Sequence, residues 1–231
     1  MRKSIISLIY IVIFTSCAFP VLSLDLYYSD YPLIENQPCA DIPIVAVSPD
    51  EKMSILGTVR ICMLSRASEG IVFDRRTTVD ETTMISLIDA YAFASGYAGS
   101  KGLFFISYDL HSDSVSGAST GASVATGMVS LFEESDYNAQ YILTGGVDAY
   151  GNLQETGGIL LKTMALAGSG KTLIVPHGQS LQQVFEKRML DTKEILVSRY
   201  VDISMYAESK EAHLEEAENL REILPRIMQK I

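Results

Sequence analysis

Two hydrophobic rhythms alternate along this chain. Residues 44–47 and 55–64 are rich in β-branched side chains and flank the turn signal Ser48-Pro49-Asp50, which predicts a hairpin. Residues 70–73 read as a further strand. From 80 to 96 apolar residues recur at helical spacing, with Met84, Leu87, Ile88, Tyr91 and Ala92 on one face. Residues 103–110 form a compact apolar strand and 122–132 a helix. Residues 140–144 then read as a strand, 148–152 as a turn, and Gly157-Gly158 as the opening of a helix over 159–167. A strand over 171–176, a helix over 181–190 and a strand over 194–200 follow. The tail, 209–230, is a charged helix with Leu214, Ala217, Leu220, Ile223 and Leu224 on one stripe, suited to packing. Alternating strands and helices predict a mixed α/β (α+β) domain.

The N-terminus departs from this rhythm. Arg2 and Lys3 precede an apolar run over 5–14 and then small and turn-forming residues, the three-part layout of a secretory signal. Val21 and Ser23 supply a small-residue site before Leu24, Ser16 and Ala18 another before Phe19, and Cys17 a lipoprotein-type site. The run up to Leu24 is about 20 residues, so a retained membrane anchor is a further reading. In each case the domain lies outside the cytoplasm, secreted or membrane-anchored. Residues 24–41 are Pro-punctuated and without period, and read as a linker or arm. The expected organisation is a signal or anchor over 1–23, this arm, a catalytic domain over 42–205 and a C-terminal helix over 206–231.

Composition narrows the function. At 231 residues, with 48% hydrophobic and 20% charged, the chain has ordinary globular values for one domain. Loss of residues 1–23 removes two bases and no acid, moving the formal charge from −10 to −12. Such a surface repels phosphate and argues against a nucleic-acid partner. The same cut leaves Cys39 and Cys62, an even pair that reads as a candidate disulfide in an oxidising compartment. The other reading is that Cys62, inside an apolar run, is a buried free thiol.

Residues 112–127, SDSVSGASTGASVATG, hold only small side chains, Val and one Asp. Small residues let backbones approach closely, and a Gly/Ser turn opening onto a helix presents N–H groups to an anion or a developing oxyanion. A Ser/Thr cap on a tightly packed helix is the plainer alternative. Residues 165–172 end like a phosphate-binding loop, yet a helix precedes and a strand follows, the reverse of what phosphate binding requires. No nucleotide is therefore expected. His111, His177 and His213 show no metal-ligand spacing, and no metal or other cofactor is expected.

The segment from Gly117 through Ser119 to Glu133 resembles the nucleophile segment of Lon proteases, closest to the archaeal-type branch. Thr144-Gly145 is similar to the Thr-Gly after that family's next strand, and Gly157-Gly158 followed by Lys162 resembles its Gly-Gly-x-x-x-Lys. Thr144 lies 25 residues and Lys162 43 residues after Ser119, without a gap. The resemblance is clear over about 100–190 and looser back to about 42. It implies a Lon proteolytic-type fold, with Ser119 as nucleophile, Lys162 as general base, Thr144 orienting the lysine, and N–H groups around Gly117, Ala118 and Ser119 as the oxyanion hole. Two departures stand out. The nearest acid before Ser119 is Asp113, so no supporting acid carries over, and Gly146 stands where bacterial-type Lon has Glu.

The chemistry suits these positions. A serine hydroxyl needs a base, and a lysine is one only when neutral, so burial against Ile159, Met164 and Leu166 must lower its pKa. The resulting expectation is an exported, ATP-independent serine endopeptidase that cuts peptides or unfolded proteins. No ATPase module is expected before residue 42. Rings are common in the resembling family, which implies a homo-oligomer. The rival expectation is a non-catalytic Lon-like domain serving as a binding or assembly module.

Overall fold

β-branched runs and two long helices assemble into a mixed α/β structure in the computed structural model, which describes residues 26–29, 37–48, 53–110 and 114–230. The expected export signal and the Pro49-Asp50 turn lie outside the described residues, as do His111 and Asp113. Strand β1 (Leu26–Ser29) is followed by β2 (Cys39–Val47), β3 (Ser54–Ser65) and β4 (Gly70–Asp74). Helix α1 (Glu81–Ala98) then leads to β5 (Leu103–Asp109). These strands form one sheet in the order β1-β4-β5-β3-β2. The predicted hairpin is β2 against β3, antiparallel, with Ile42 opposite Val59 and Ala46 opposite Ile55. β4 and β5 are parallel neighbours, which requires a crossover, and α1 supplies it.

Asp80 starts α1 by accepting from the Thr83 N–H at 2.7 Å, and Gly99, in the left-handed region, ends it. The buried face is turned from the expected one. Leu87 and Tyr91 are buried as predicted, but Met84, Ile88 and Ala92 are only half-buried, while Thr83, Ser86, Ala90, Phe93 and Ala94 face inward. The reason is the small-residue helix α2 (Gly121–Glu133), against which α1 packs. Every residue of α2 from Gly121 to Phe132 is buried, because Gly, Ala and Ser let the sheet and α1 close on it from several sides. Its hydroxyls are satisfied internally or by neighbours: Ser123 donates to the Leu143 carbonyl at 3.0 Å and Thr126 to that of Ala122 at 2.9 Å.

A second, parallel sheet follows, made of β6 (Tyr141–Leu143), β7 (Thr172–Pro176) and, far along the chain, residues His213–Ala217. Its alternation is two-sided. Leu143 and Ile174 join the core around α2, while Ile142, Leu173 and Val175 pack with Ile159 of α3 (Ile159–Met164) and Ile203.

Three expectations are corrected. Residues 181–190 are not helical but strand β8 (Leu181–Leu190), paired antiparallel with β9 (Lys193–Asp202) over its whole length. Leu181, Phe185 and Met189 mimic a helical stripe at intervals of four, which fits strand alternation equally well. Asp191, at φ 53°, closes the turn without a glycine. The tail is not one helix. After α4 (Ile203–Glu208) comes β10 (His213–Ala217), then α5 (Leu220–Ile227), capped by the Asn219 side chain, and the short strand Met228–Lys230 against Ser135–Tyr137. Leu214 and Ala217 face different cores because β10 pairs with β7. Finally, the arm is structured at both ends: β1 pairs with β4, and β2 begins at Cys39, not 42.

Candidate active site

Gly117, at φ 89°, turns the chain into a short 3-10 turn, Ala118–Thr120, that runs directly into α2. The turn is held from α1. Ser86 donates to the Ala118 carbonyl at 3.0 Å, and Thr83 donates its hydroxyl to the Gly117 carbonyl at 3.1 Å. Asp80 accepts from the Gly117 N–H at 3.4 Å. Hydrogen bonds from the Thr83 hydroxyl and N–H, with smaller help from Gly117 and Ser116, keep its carboxyl below the ordinary range. The acid near this loop is therefore Asp80, the α1 cap. Sequence separation concealed it. The same bond directs the Gly117 N–H, expected in the oxyanion hole, at Asp80.

Ser119 is half-buried and borders a cleft of about 510 Å³ with Ser116, Glu155, Thr156, Gly158 and Lys162. Behind it, the Ser119 carbonyl accepts from the Gly145 N–H at 2.9 Å and the Thr144 hydroxyl at 3.4 Å. Thr144 sits just past β6, and its N–H bonds to Ile174 of β7 at 3.0 Å. The Thr144 oxygen also accepts from Lys162 Nζ at 2.8 Å. One hydroxyl thus connects the lysine to the backbone of Ser119. Three segments far apart in sequence, after β6, on α3 and before α2, meet at it.

Lys162 is only 2% exposed, and burial brings its pKa down from 10.5 to about 8. Ile159 and Leu166 are buried as expected, but Met164 is exposed, pointing away on the far side of its short helix. A second acceptor was missed: Thr156 Oγ1 lies 2.9 Å from Lys162 Nζ. Gln179 clasps the Thr156 backbone, accepting from its N–H at 3.2 Å and donating to its carbonyl at 2.8 Å. The available signal was a hydroxyl residue directly before Gly157-Gly158. Beside the site, Tyr108 shares a hydrogen bond with Thr120 at 3.2 Å, and burial pushes its phenol up to about 12, so it stays protonated.

Gly146 is buried against Gln154, whose Oε1 would lie 2.9 Å from an added Cβ, so an acidic side chain there would require the exposed Gln154 side chain to move. The phosphate-loop-like stretch has α3 before it and β7 after it. His177 is exposed beside Glu216, His213 opens β10, and neither borders the cleft. Among the described residues no group of three or more His, Cys, Asp or Glu is placed to hold a metal ion. Nor is any helix there long and apolar enough to cross a membrane.

No known protein-family profile matches the chain. Among curated proteins it is similar to the archaeal Lon protease of Methanothermobacter thermautotrophicus, with 28% identity over 134 residues, covering 53% of this chain. The chain spans about a fifth of that relative's length, 21%. This similarity supports a Lon-like relationship.

Proposed function

We propose that the chain is an exported, ATP-independent serine endopeptidase that cleaves peptides or unfolded proteins with Ser119 and Lys162. The carrying observation is the buried lysine, its pKa brought down to about 8 and its amine bonded to Thr144, which in turn bonds to the Ser119 backbone. A base of that pKa has a sizeable neutral fraction near neutral pH, where an ordinary lysine has almost none. The relative, named as a protease, supports peptide hydrolysis. Export rests on the N-terminal pattern and is supported by the Cys39–Cys62 bond, since disulfides persist in oxidising compartments. ATP independence is supported by the reversed order of helix and strand around Gly170-Lys171-Thr172.

In this reading neutral Lys162 takes the Ser119 proton as Oγ attacks the scissile carbonyl carbon. The oxyanion forms beside the Ala118 and Ser119 N–H groups, where the tight turn opens onto α2. Its collapse breaks the C–N bond, and the lysine ammonium gives its proton to the departing amine. Water, deprotonated by the same lysine, then releases the acyl group from Ser119. A fluorophosphonate probe tests the nucleophile. Labelling of the native chain, lost on Ser119→Ala and strongly reduced on Lys162→Arg, is the expected result, because guanidinium cannot accept the serine proton. Absence of labelling in the native chain would favour a binding module instead.

A further inference from the structure

The β8–β9 ribbon carries an apolar surface that the proposed chemistry does not use. On one face Val201 packs against the α3 and α4 core, and Glu186 makes ion pairs with Arg188 and Arg199. The opposite face looks away from the body. Its side chains come from Leu181, Gln183, Phe185, Lys187 and Met189 on β8 and from Asp202, Tyr200, Ser198, Leu196 and Glu194 directly across on β9. Each of these five rows holds one large apolar residue and one polar or small one, and the apolar member alternates between strands. Leu181, Tyr200, Phe185, Leu196 and Met189 thereby form a continuous zigzag down the ribbon, about 27 Å long at strand spacing. All five are exposed by more than half, from 58% for Leu181 to 68% for Tyr200.

A two-stranded ribbon gains little stability alone, and an unbroken apolar stripe of this size marks a contact surface. Two observations indicate what covers it. The stripe presents roughly 600 Å² per chain, so two copies face to face would remove on the order of 1,200 Å² from water, the lower bound of a specific interface. The pattern also reads alike from either end: Leu181 and Met189 at the ends, Tyr200 and Leu196 inside them, Phe185 at the centre. A two-fold rotation about Phe185 therefore lays apolar on apolar in every row, the pattern an isologous contact requires, while it brings Asp202 opposite Glu194 of the second copy at each end, a repulsion that salt screens. The acids Asp202 and Glu194 flanking the stripe, on a chain of net charge −10, oppose an anionic lipid surface. We propose that the β8–β9 stripe pairs two copies of this chain across a two-fold axis, with Phe185 at its centre.

Sedimentation equilibrium of the full chain tests this. The expected result is a mass twice that of one chain at micromolar concentration. It should fall to one chain on joint Phe185→Lys and Leu196→Lys replacement, with the circular dichroism unchanged, since both side chains are exposed. A Ser198→Cys variant provides a second measurement: residue 198 faces Phe185 in the central row and meets its own copy across the axis at the roughly 10 Å of face-to-face sheets, so a short bismaleimide should form a link between two chains that the native chain does not form. A chain that stays single at its highest soluble concentration overturns the proposal. So does a dimer that survives the double replacement and lacks the 198–198 link. Binding of single chains through the same side chains to phosphatidylcholine vesicles, or to a reduced and denatured protein, would assign the stripe to a membrane or an unfolded chain and equally overturn it.

Discussion

Lys162 is the residue where burial and chemistry coincide, and its protonation gives a signed prediction. With a folded pKa of about 8 against 10.5, the unfolded chain binds more protons than the folded one between those values. Stability contributed through this residue is therefore greatest above pH 10.5 and is lost as pH falls through 8. Lys162→Met removes that dependence. The variant's stability relative to the native chain should be higher at pH 7 than at pH 10.5 by about 3 kcal/mol, measured by urea unfolding. Unpaired Thr144 and Thr156 hydroxyls lower the variant at both pH values and leave the difference intact. An unchanged difference would mean that another group titrates. Thr156 gives a finer test. Its hydroxyl favours the ammonium, so Thr156→Val should move the kcat/KM profile to lower pH, while Thr156→Ser should restore it.

Elements differ in how much freedom their glycines leave. Gly158 opens α3 at φ 71°, and an added Cβ would lie 2.8 Å from Val47 Cγ2. Gly158→Ala should cost about 1–3 kcal/mol in thermal or denaturant unfolding and disturb the cleft. Gly121→Ala would place Cβ 2.2 Å from Ser86 Oγ, which holds the Ala118 carbonyl, so peptidase activity should fall as this bond is displaced. Gly96→Ala, on the exposed side of α1 with nothing within 4 Å, should instead stabilise by up to about 1 kcal/mol and leave activity alone. Equal effects at Gly96 and Gly158 would contradict the packing described. Helix α1 was legible in the sequence as an element, but the face it buries was not, because its packing against α2 decides that. β8 was not legible, because Leu181, Phe185 and Met189 satisfy both periods and only its pairing with β9 decides between them.

For the whole molecule, Cys39 and Cys62 lie directly opposite in β2 and β3, with Cα atoms 4.1 Å apart, and are bonded. Alkylation of the native protein without reductant should add nothing to either cysteine in the intact mass. Reduction should lower stability by about 3 kcal/mol, since the bond closes a loop spanning 23 residues. Uptake of two groups at these cysteines without reductant would show them free and would remove this support for export.

Some properties follow from the sequence by itself because they are local or repeat in register. The β2–β3 hairpin, the small-residue helix and the spacing of Ser119, Thr144 and Lys162 depend on neighbours a few residues away or on a recurring motif. Tertiary structure decided the rest. The bond from the Thr144 hydroxyl to the Ser119 carbonyl, the Thr156–Gln179 clasp and the hold of Asp80 and Ser86 on the 117–119 turn join residues from 23 to 37 positions apart. No local pattern encodes such contacts. They arise when two sheets and α1 close around a helix small enough to be buried on every side.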